Sequence, residues 1–332
     1  MLGSSEQPLC EAYDLAMLDL DGVVYVGGDA VEGAPDHLAA ARRGGLRLAF
    51  ITNNASRPPA AVAAHLRDLG VESDDTDVVT SAQAAARLVA DELGVDSPVV
   101  CLGADGLRDA LEEAGLKPVG VDDDARAVVT GYGPDVRWGE IMRVAVRIRD
   151  GLPWVASNTD QTFPAAFGVA PGHGVEVDML RRFTGVDPRV AGKPERPLLD
   201  ETVRRVGGKH PLMVGDRLDT DIEGARRAGI DSLLVLTGVT GLAELVAARP
   251  ELRPTYLAPD LAGLLEAHRE PELDAGTASL GGWRATVEDS RLRVTGEGEA
   301  ADWWRVVASA AWAHLDDAGD PVDLSGVEPP GR

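Results

Sequence analysis

Cysteine is almost missing from this chain of 332 residues: Cys10 and Cys101 are its only two, far apart in sequence. A pair so sparse builds neither a disulfide framework nor a zinc-ligand spacing, and it suits a reducing compartment. Lysine is scarce too, present only as Lys117, Lys193 and Lys209 among many arginines. Positive charge is outnumbered overall, 32 Lys and Arg against 55 Asp and Glu, and the formal net charge of -23 argues against nucleic acid or an anionic membrane as a partner. No apolar run approaches the roughly 20 residues of a membrane span. The N-terminus, MLGSSEQPLCEAYDLAML, has no basic start followed by a long apolar stretch, so a cytoplasmic protein is expected. The six histidines, at 37, 65, 173, 210, 268 and 314, form no cluster with metal spacing, which makes a zinc hydrolase improbable.

What is present reads as globular, with 44% hydrophobic residues and with 38 Gly and 21 Pro spread along the chain. The length exceeds one ordinary domain, and two or three units are expected. Leu15-Ala16-Met17-Leu18 is a short apolar run that suits a buried parallel strand delivering Asp19 to its tip. A helix over 34–43, a strand over 46–51 ending in Thr52-Asn53-Asn54 and a helix over 58–69 follow. This alternation predicts an α/β fold, a doubly wound parallel sheet with ligands at the C-terminal ends of its strands. A fresh α/β series runs from Pro98-Val99-Val100-Cys101-Leu102 to Trp154, and residues 82–184 are expected to be an inserted second domain. The first pattern resumes at Ala191-Gly192-Lys193 and continues through the strand that enters Gly215-Asp216. The core is therefore expected to be discontinuous, 12–81 with 185–262. Beyond about 270 a hairpin around Asp289-Ser290 and a helix over 300–315 predict a small ββα appendage within 275–332.

Four segments close apolar runs and carry polar chemistry. Asp19 and Asp21 stand at i and i+2 of an extended segment and would point the same way. Like charges so close raise one pKa unless a cation neutralises them, and magnesium accepts such hard oxygen ligands. Asp19 then suits a nucleophile and Asp21 an acid that later activates water. Taken alone, the pair also fits turn capping or incidental cation binding. Thr52 and Asn53 offer a hydroxyl, a side-chain amide and backbone N–H groups to phosphate oxygens, although Thr-Asn-Asn is also ordinary turn chemistry. Lys193 would offset charge on Asp19 and on a transferring phosphoryl group. In Gly215-Asp216-Arg217-Leu218-Asp219-Thr220-Asp221, Asp216 suits a metal ligand, and Asp221 a residue orienting it or a metal-bound water. Asp219 reads as a first-turn acid of the next helix.

With these segments in this order, the sequence resembles the haloacid dehalogenase (HAD)-like hydrolases, in the branch containing p-nitrophenyl, phosphoglycolate and glycerol-phosphate phosphatases. The resemblance rests on Leu18-Asp19-Leu20-Asp21-Gly22-Val23, Ile51-Thr52-Asn53-Asn54, Gly192-Lys193-Pro194 and Gly215-Asp216-Arg217-Leu218-Asp219-Thr220-Asp221. It implies a magnesium-dependent phosphatase with Asp19 as nucleophile and Asp21 as acid/base. Thr52, Asn53, Asn54 and Lys193 would hold phosphate, and the metal would sit on Asp19, the Asp21 carbonyl and Asp216, with Asp221 behind them. It also implies that 82–184 is the branch's α/β cap, and that the substrate is a small phosphorylated metabolite. Pyridoxal-phosphate phosphatases of the branch carry a histidine where this chain has Phe163-Pro164, which disfavours that ester. The C-terminal module resembles that of actinobacterial members regarded as glycerol 3-phosphate phosphatases, and this ester is the expected substrate. A phosphomutase or phosphotransferase with the same nucleophile, and a binding protein with a silent site, are the rival readings.

The tail also holds Arg293-Val294-Thr295-Gly296-Glu297-Gly298, which fits the acyl-CoA pyrophosphate loop of N-acetyltransferase-like folds. About sixty residues are too few for a complete acetyltransferase, and Glu297 and Glu299 would repel a pyrophosphate. A structural tail or a contact in a homo-oligomer is the favoured reading, with the tryptophans as anchors.

Overall fold

The computed structural model describes residues 1–165, 168–274 and 276–330; the expected module's end residues, 275 and 332, lie outside them. The packing separates two compact units, Met1–Leu48 with Gly208–Arg332, and Ala49–Gly207.

In the first unit, four strands lie parallel in the order Tyr256–Ala258, Asp231–Val235, Pro211–Gly215, Leu15–Leu18. Their continuous burial matches apolar runs without alternation, as a sheet covered on both faces requires. Leu18 pairs with Val214, and the Asp19 N–H donates to the Val214 carbonyl at 2.9 Å. This register brings the carboxyl ends of two adjacent strands level, so that Asp19 and Asp216 emerge side by side. Helix Ala34–Arg43 matches the expected span, with Pro35 in its first turn where a missing N–H costs nothing.

The C-terminal segment of this unit is larger than the expected ββα. Four antiparallel strands, Glu272–Asp274, Thr277–Leu280, Trp283–Glu288 and Arg291–Gly296, precede helix Ala300–Ala318. The first two strands are short, and the leading one is exposed at every residue, so they carry little of the apolar alternation that marks a strand in sequence. The helix is buried on two faces. Ala308 and Trp312 pack with Leu218, Ile222, Leu234 and Leu257, while Trp303, Val306, Val307, Ala310 and Ala311 pack on the four-stranded sheet. Trp312 donates through Nε1 to the Leu245 carbonyl at 2.8 Å, and Arg253 lies over its ring, 5.2 Å from the centroid. Its tryptophans thus anchor an interior within this unit, and helix Ala300–Ala318 is a second layer on the parallel sheet.

Most of strand Arg47–Thr52 lies in the second unit, where it pairs parallel with Val78–Thr80, Thr52 opposite Thr80. The second unit also carries a five-stranded parallel sheet in the order Arg189–Val190, Trp154–Ala156, Ala127–Thr130, Pro98–Leu102, Lys117–Val119. The sheet therefore extends past residue 184, because Arg189–Val190 pairs with Val155 and Ala156 on its way to Lys193. Helix Ser81–Leu93 packs against helices Asp105–Glu113 and Pro197–Val206. That contact joins Pro197–Val206, which lies outside 82–184, to helices within it, and the compact units divide after residues 48 and 207.

Candidate active site

An acidic cluster belongs to the first unit. Asp19, Asp216 and Asp221 each place a carboxylate oxygen within 4.8 Å of the others. Asp19 is half-buried, while Asp216 and Asp221 are 0% and 1% exposed. Three carboxylates this close and this dry repel one another strongly, and a divalent cation on hard oxygen donors is the simplest relief. The donor set contains neither thiolate nor imidazole, so its chemistry fits magnesium and not a zinc centre.

Each acid is held by local backbone. Asp221 Oδ2 accepts from the backbone N–H of Asp216 and of Arg217, both at 3.1 Å. A five-residue π turn, Leu218–Ile222, swings Asp221 back over the strand end. Gly215 makes room for it, since a Cβ there would lie 2.2 Å from the Asp221 Cβ. Asp216 Oδ2 accepts from the Val239 N–H at 2.6 Å, and a Cβ on Gly238 would meet that oxygen at 2.0 Å. The 237–240 loop after strand Asp231–Val235 is thus part of the cradle. Its Thr237-Gly238-Val239-Thr240 run at a strand tip was the signal that could have revealed it.

Asp21 stands apart from this cluster. The strand ends at Leu18, and residues 20–25 form turns through Val23 N and Val24 N to the Leu20 carbonyl, at 3.3 and 2.9 Å. The strand thus ends before Asp21, whose side chain is exposed. Asp219 is exposed and paired with Arg217 at 3.0 and 2.8 Å. Burial raises its pKa, but the Arg217 bonds outweigh this and hold it below the usual carboxylate value.

A separate group of polar residues, with Asn53 and Lys193, belongs to the second unit. Thr52 ends its strand, and its hydroxyl oxygen accepts the Asn54 N–H at 3.0 Å, which leaves its proton to donate. The Asn54 side chain turns inward locally, its Oδ1 accepting from Ser56 N and Ser56 Oγ at 2.9 and 2.6 Å. That oxygen serves the turn. Asn53 and Lys193, distant in sequence, are brought together. The Asn53 amide bonds the Lys193 backbone both ways, Nδ2 to the carbonyl at 3.0 Å and Oδ1 from the N–H at 2.8 Å. Its other donor reaches Asp160 Oδ1 at 3.0 Å. The Asn53 carbonyl accepts from Ser81 Oγ at 2.6 Å and Asn158 Nδ2 at 2.7 Å. Lys193 is 2% exposed.

His173 belongs to the second unit. It opens helix His173–Thr184, is 3% exposed, and lies 3.2 Å from Thr130 Oγ1 through Nε2. Burial pushes its pKa down to about 4, and burial pushes that of Glu176, one turn on, up to about 7.

The acyl-CoA loop reading fails on geometry. A Cβ on Gly296 would lie 2.1 Å from the Gly282 carbonyl oxygen, and one on Gly298 would lie 2.2 Å from that of Gly281. These glycines serve a close approach to the neighbouring turn. The buried Asp302 occupies the first turn of the following helix, where a pyrophosphate would have to sit.

Residues 16–117 match a family profile described as haloacid dehalogenase-like hydrolase, and residues 190–264 match a HAD-hydrolase-like profile. The D-glycerol 3-phosphate phosphatase of Mycobacterium tuberculosis is 42% identical over 314 residues, covering 92% of this chain and 87% of its own. A crystal structure of glycerol phosphate phosphatase from that organism, in complex with magnesium, aligns with a TM-score of 0.85 and 40% identity over 95% of this chain and 94% of that one. The 4-nitrophenylphosphatase of Thermotoga maritima aligns with a TM-score of 0.72 and 28% identity over 77% and 98%. With its paired-strand acids, its Thr52 tip and its family profiles in agreement, the chain belongs to the haloacid dehalogenase-like hydrolases.

Proposed function

We propose that this protein is a magnesium-dependent phosphomonoesterase acting on a small phosphate ester, glycerol 3-phosphate, through an aspartyl-phosphate. The observation that carries this reading is the convergence of the Asp19, Asp216 and Asp221 carboxylates. Family membership and the 42% identity to a D-glycerol 3-phosphate phosphatase support the reaction and the ester. Core segments 12–81 and 185–262, with 82–184 as cap, belong to the same proposal.

Asp19, the Asp21 backbone carbonyl and Asp216 would hold magnesium, which supplies charge neutralisation for a dianionic ester. Asp216 is fixed by the Val239 N–H, and Asp221 is fixed through Oδ2 by two backbone donors, so neither has to reorganise. Asp19 attacks phosphorus, and the departing alkoxide takes the Asp21 proton. Asp21 then removes a proton from water, which attacks the aspartyl-phosphate, frees inorganic phosphate and restores Asp19. The Thr52 hydroxyl proton and the Lys193 ammonium are assigned to the phosphoryl oxygens.

The test is phosphate release from glycerol 3-phosphate, phosphoglycolate, nucleotide monophosphates and pyridoxal phosphate, with and without magnesium. Metal-dependent release, fastest from glycerol 3-phosphate and abolished in Asp19→Asn, is the expected result. Absence of release from every ester would overturn the reaction; a faster rival ester would overturn only the substrate.

A further inference from the structure

We infer that Asn53 acts as a positioning residue for Lys193, holding the lysine's backbone rather than offering its side-chain amide to phosphate; this rests on the phosphatase reading above. A primary amide has two N–H donors and one carbonyl oxygen. Both donors of Asn53 are spent, one on the Lys193 carbonyl at 3.0 Å and one on Asp160 Oδ1 at 3.0 Å. Its oxygen accepts the Lys193 N–H at 2.8 Å. While this arrangement stands, the amide has no proton left for a phosphate oxygen.

The bond pattern is specific in what it fixes. A single hydrogen bond leaves a peptide free to pivot, whereas a reciprocal pair to the N–H and C=O of one residue sets both its position and its orientation. The neighbouring sequence is shaped to admit the amide. A Cβ on Gly192 would lie 2.6 Å from Asn53 Oδ1 and 2.8 Å from the Ser157 carbonyl oxygen, so only glycine lets the amide approach. Asn53 is itself braced at the backbone, where its carbonyl accepts from Ser81 Oγ and Asn158 Nδ2 at 2.6 and 2.7 Å. Asp160 is oriented in turn by its own N–H, which donates to Asn158 Oδ1 at 3.1 Å. Three other segments of the second unit, at Ser81, 157–160 and 192–193, thus meet on Asn53, and Lys193 is the member with an ammonium to place.

Displacement of a charged group by about 1 Å costs on the order of 10²-fold in rate. The effect should therefore pass through Lys193 and vanish when Lys193 is gone. The experiment is a double-mutant cycle on the full-length, magnesium-loaded enzyme, with kcat and KM measured for wild type, Asn53→Ala, Lys193→Ala and the double variant. The expected result is a loss of about 10²-fold in kcat for Asn53→Ala that shrinks to less than about threefold in the Lys193→Ala background. Equal losses in both backgrounds, or no loss in either, would overturn the inference, because a general loss of folded enzyme lowers both backgrounds alike. Asn53→Ser, which keeps a small polar group, is the second variant; unfolding of both single variants by circular dichroism would assign Asn53 to the framework and overturn it too. Failure of wild type to release phosphate would instead bring down the phosphatase reading itself.

Discussion

Asp221 accepts the Asp216 backbone N–H on its Oδ2 at 3.1 Å, so the second of these acids is anchored by the peptide that carries the first. The same oxygen also accepts the Arg217 N–H, and the carboxylate lies within the group that could share one cation. In the proposed site Asp221 would act on a metal chiefly through charge and through the shape of the Asp216 peptide. Replacing a residue that supports a ligand in this way costs roughly 10–100-fold in metal affinity. Asp221→Asn should raise the magnesium concentration for half-maximal phosphate release by that factor, with kcat at saturating metal reduced less. An unchanged metal dependence would refute this role.

Gly238 is tied to the same acid from the other side. Its missing Cβ would stand 2.0 Å from Asp216 Oδ2 and 2.8 Å from the Gly22 Cα. Gly238→Ala must push Asp216 or the 237–240 loop aside. A rate loss of about 10²-fold or more is expected, because a ligand has been displaced rather than removed. Full activity at ordinary magnesium would show that the loop yields without moving Asp216.

Two buried histidines should weaken the fold as the pH falls. Burial lowers the His173 pKa to about 4; for His268, burial and then the Arg305 charge lower it to about 4, from an ordinary value of 6.5. His268 accepts from Arg305 Nη2 through Nδ1 at 3.1 Å and donates to the Gly263 carbonyl through Nε2 at 2.8 Å, an arrangement that needs the neutral ring. In the unfolded chain these histidines take up protons below about 6.5, while the folded chain resists until about 4. Stability is thus undiminished by them above that range and falls as pH drops through it, by a few kcal/mol per histidine at roughly 1.4 kcal/mol per unit. Thermal unfolding followed from pH 7 to 4 should show this slope, and His173→Gln should flatten it. A slope unaffected by that substitution would remove His173 from the account.

Trp312 should be a major anchor of the C-terminal segment. It is 2% exposed and donates to the Leu245 carbonyl at 2.8 Å. Trp312→Ala is expected to cost about 3–5 kcal/mol from lost burial and the cavity left behind. Trp312→Phe should cost less, since it keeps much of the packing and leaves mainly the Leu245 carbonyl unpaired. Denaturant unfolding checks both; a loss below about 1 kcal/mol for the alanine variant would mean that the segment is held elsewhere.

Much of this was legible in the chain itself. The strand Leu15–Leu18, the helix Ala34–Arg43 and the strand ending at Gly215 follow from apolar runs broken by charge, glycine and proline. The placing of Asp19, Thr52 and Asp216 at strand tips follows from them, since a buried strand must end where carboxylates and hydroxyls begin. The two short strands before Trp283 were not legible, because four or fewer residues with few apolar positions leave almost no period to read. The second buried face of helix Ala300–Ala318 was also hidden: its alanines read as neutral in sequence, and only contact shows that they are interior.

The sequence by itself determined which residue types stand at the strand ends, in what order, and so the class of chemistry available. The tertiary structure decided which of those groups share a point in space. It drew Asp221 into the acidic cluster through a π turn and left Asp21 outside it by ending the strand at Leu18. It also took the Asn53 amide for the Lys193 backbone, across 140 residues of chain. Periodicity records how far a side chain lies from water, whereas a hydrogen bond depends on direction and distance to a partner that only folding brings near.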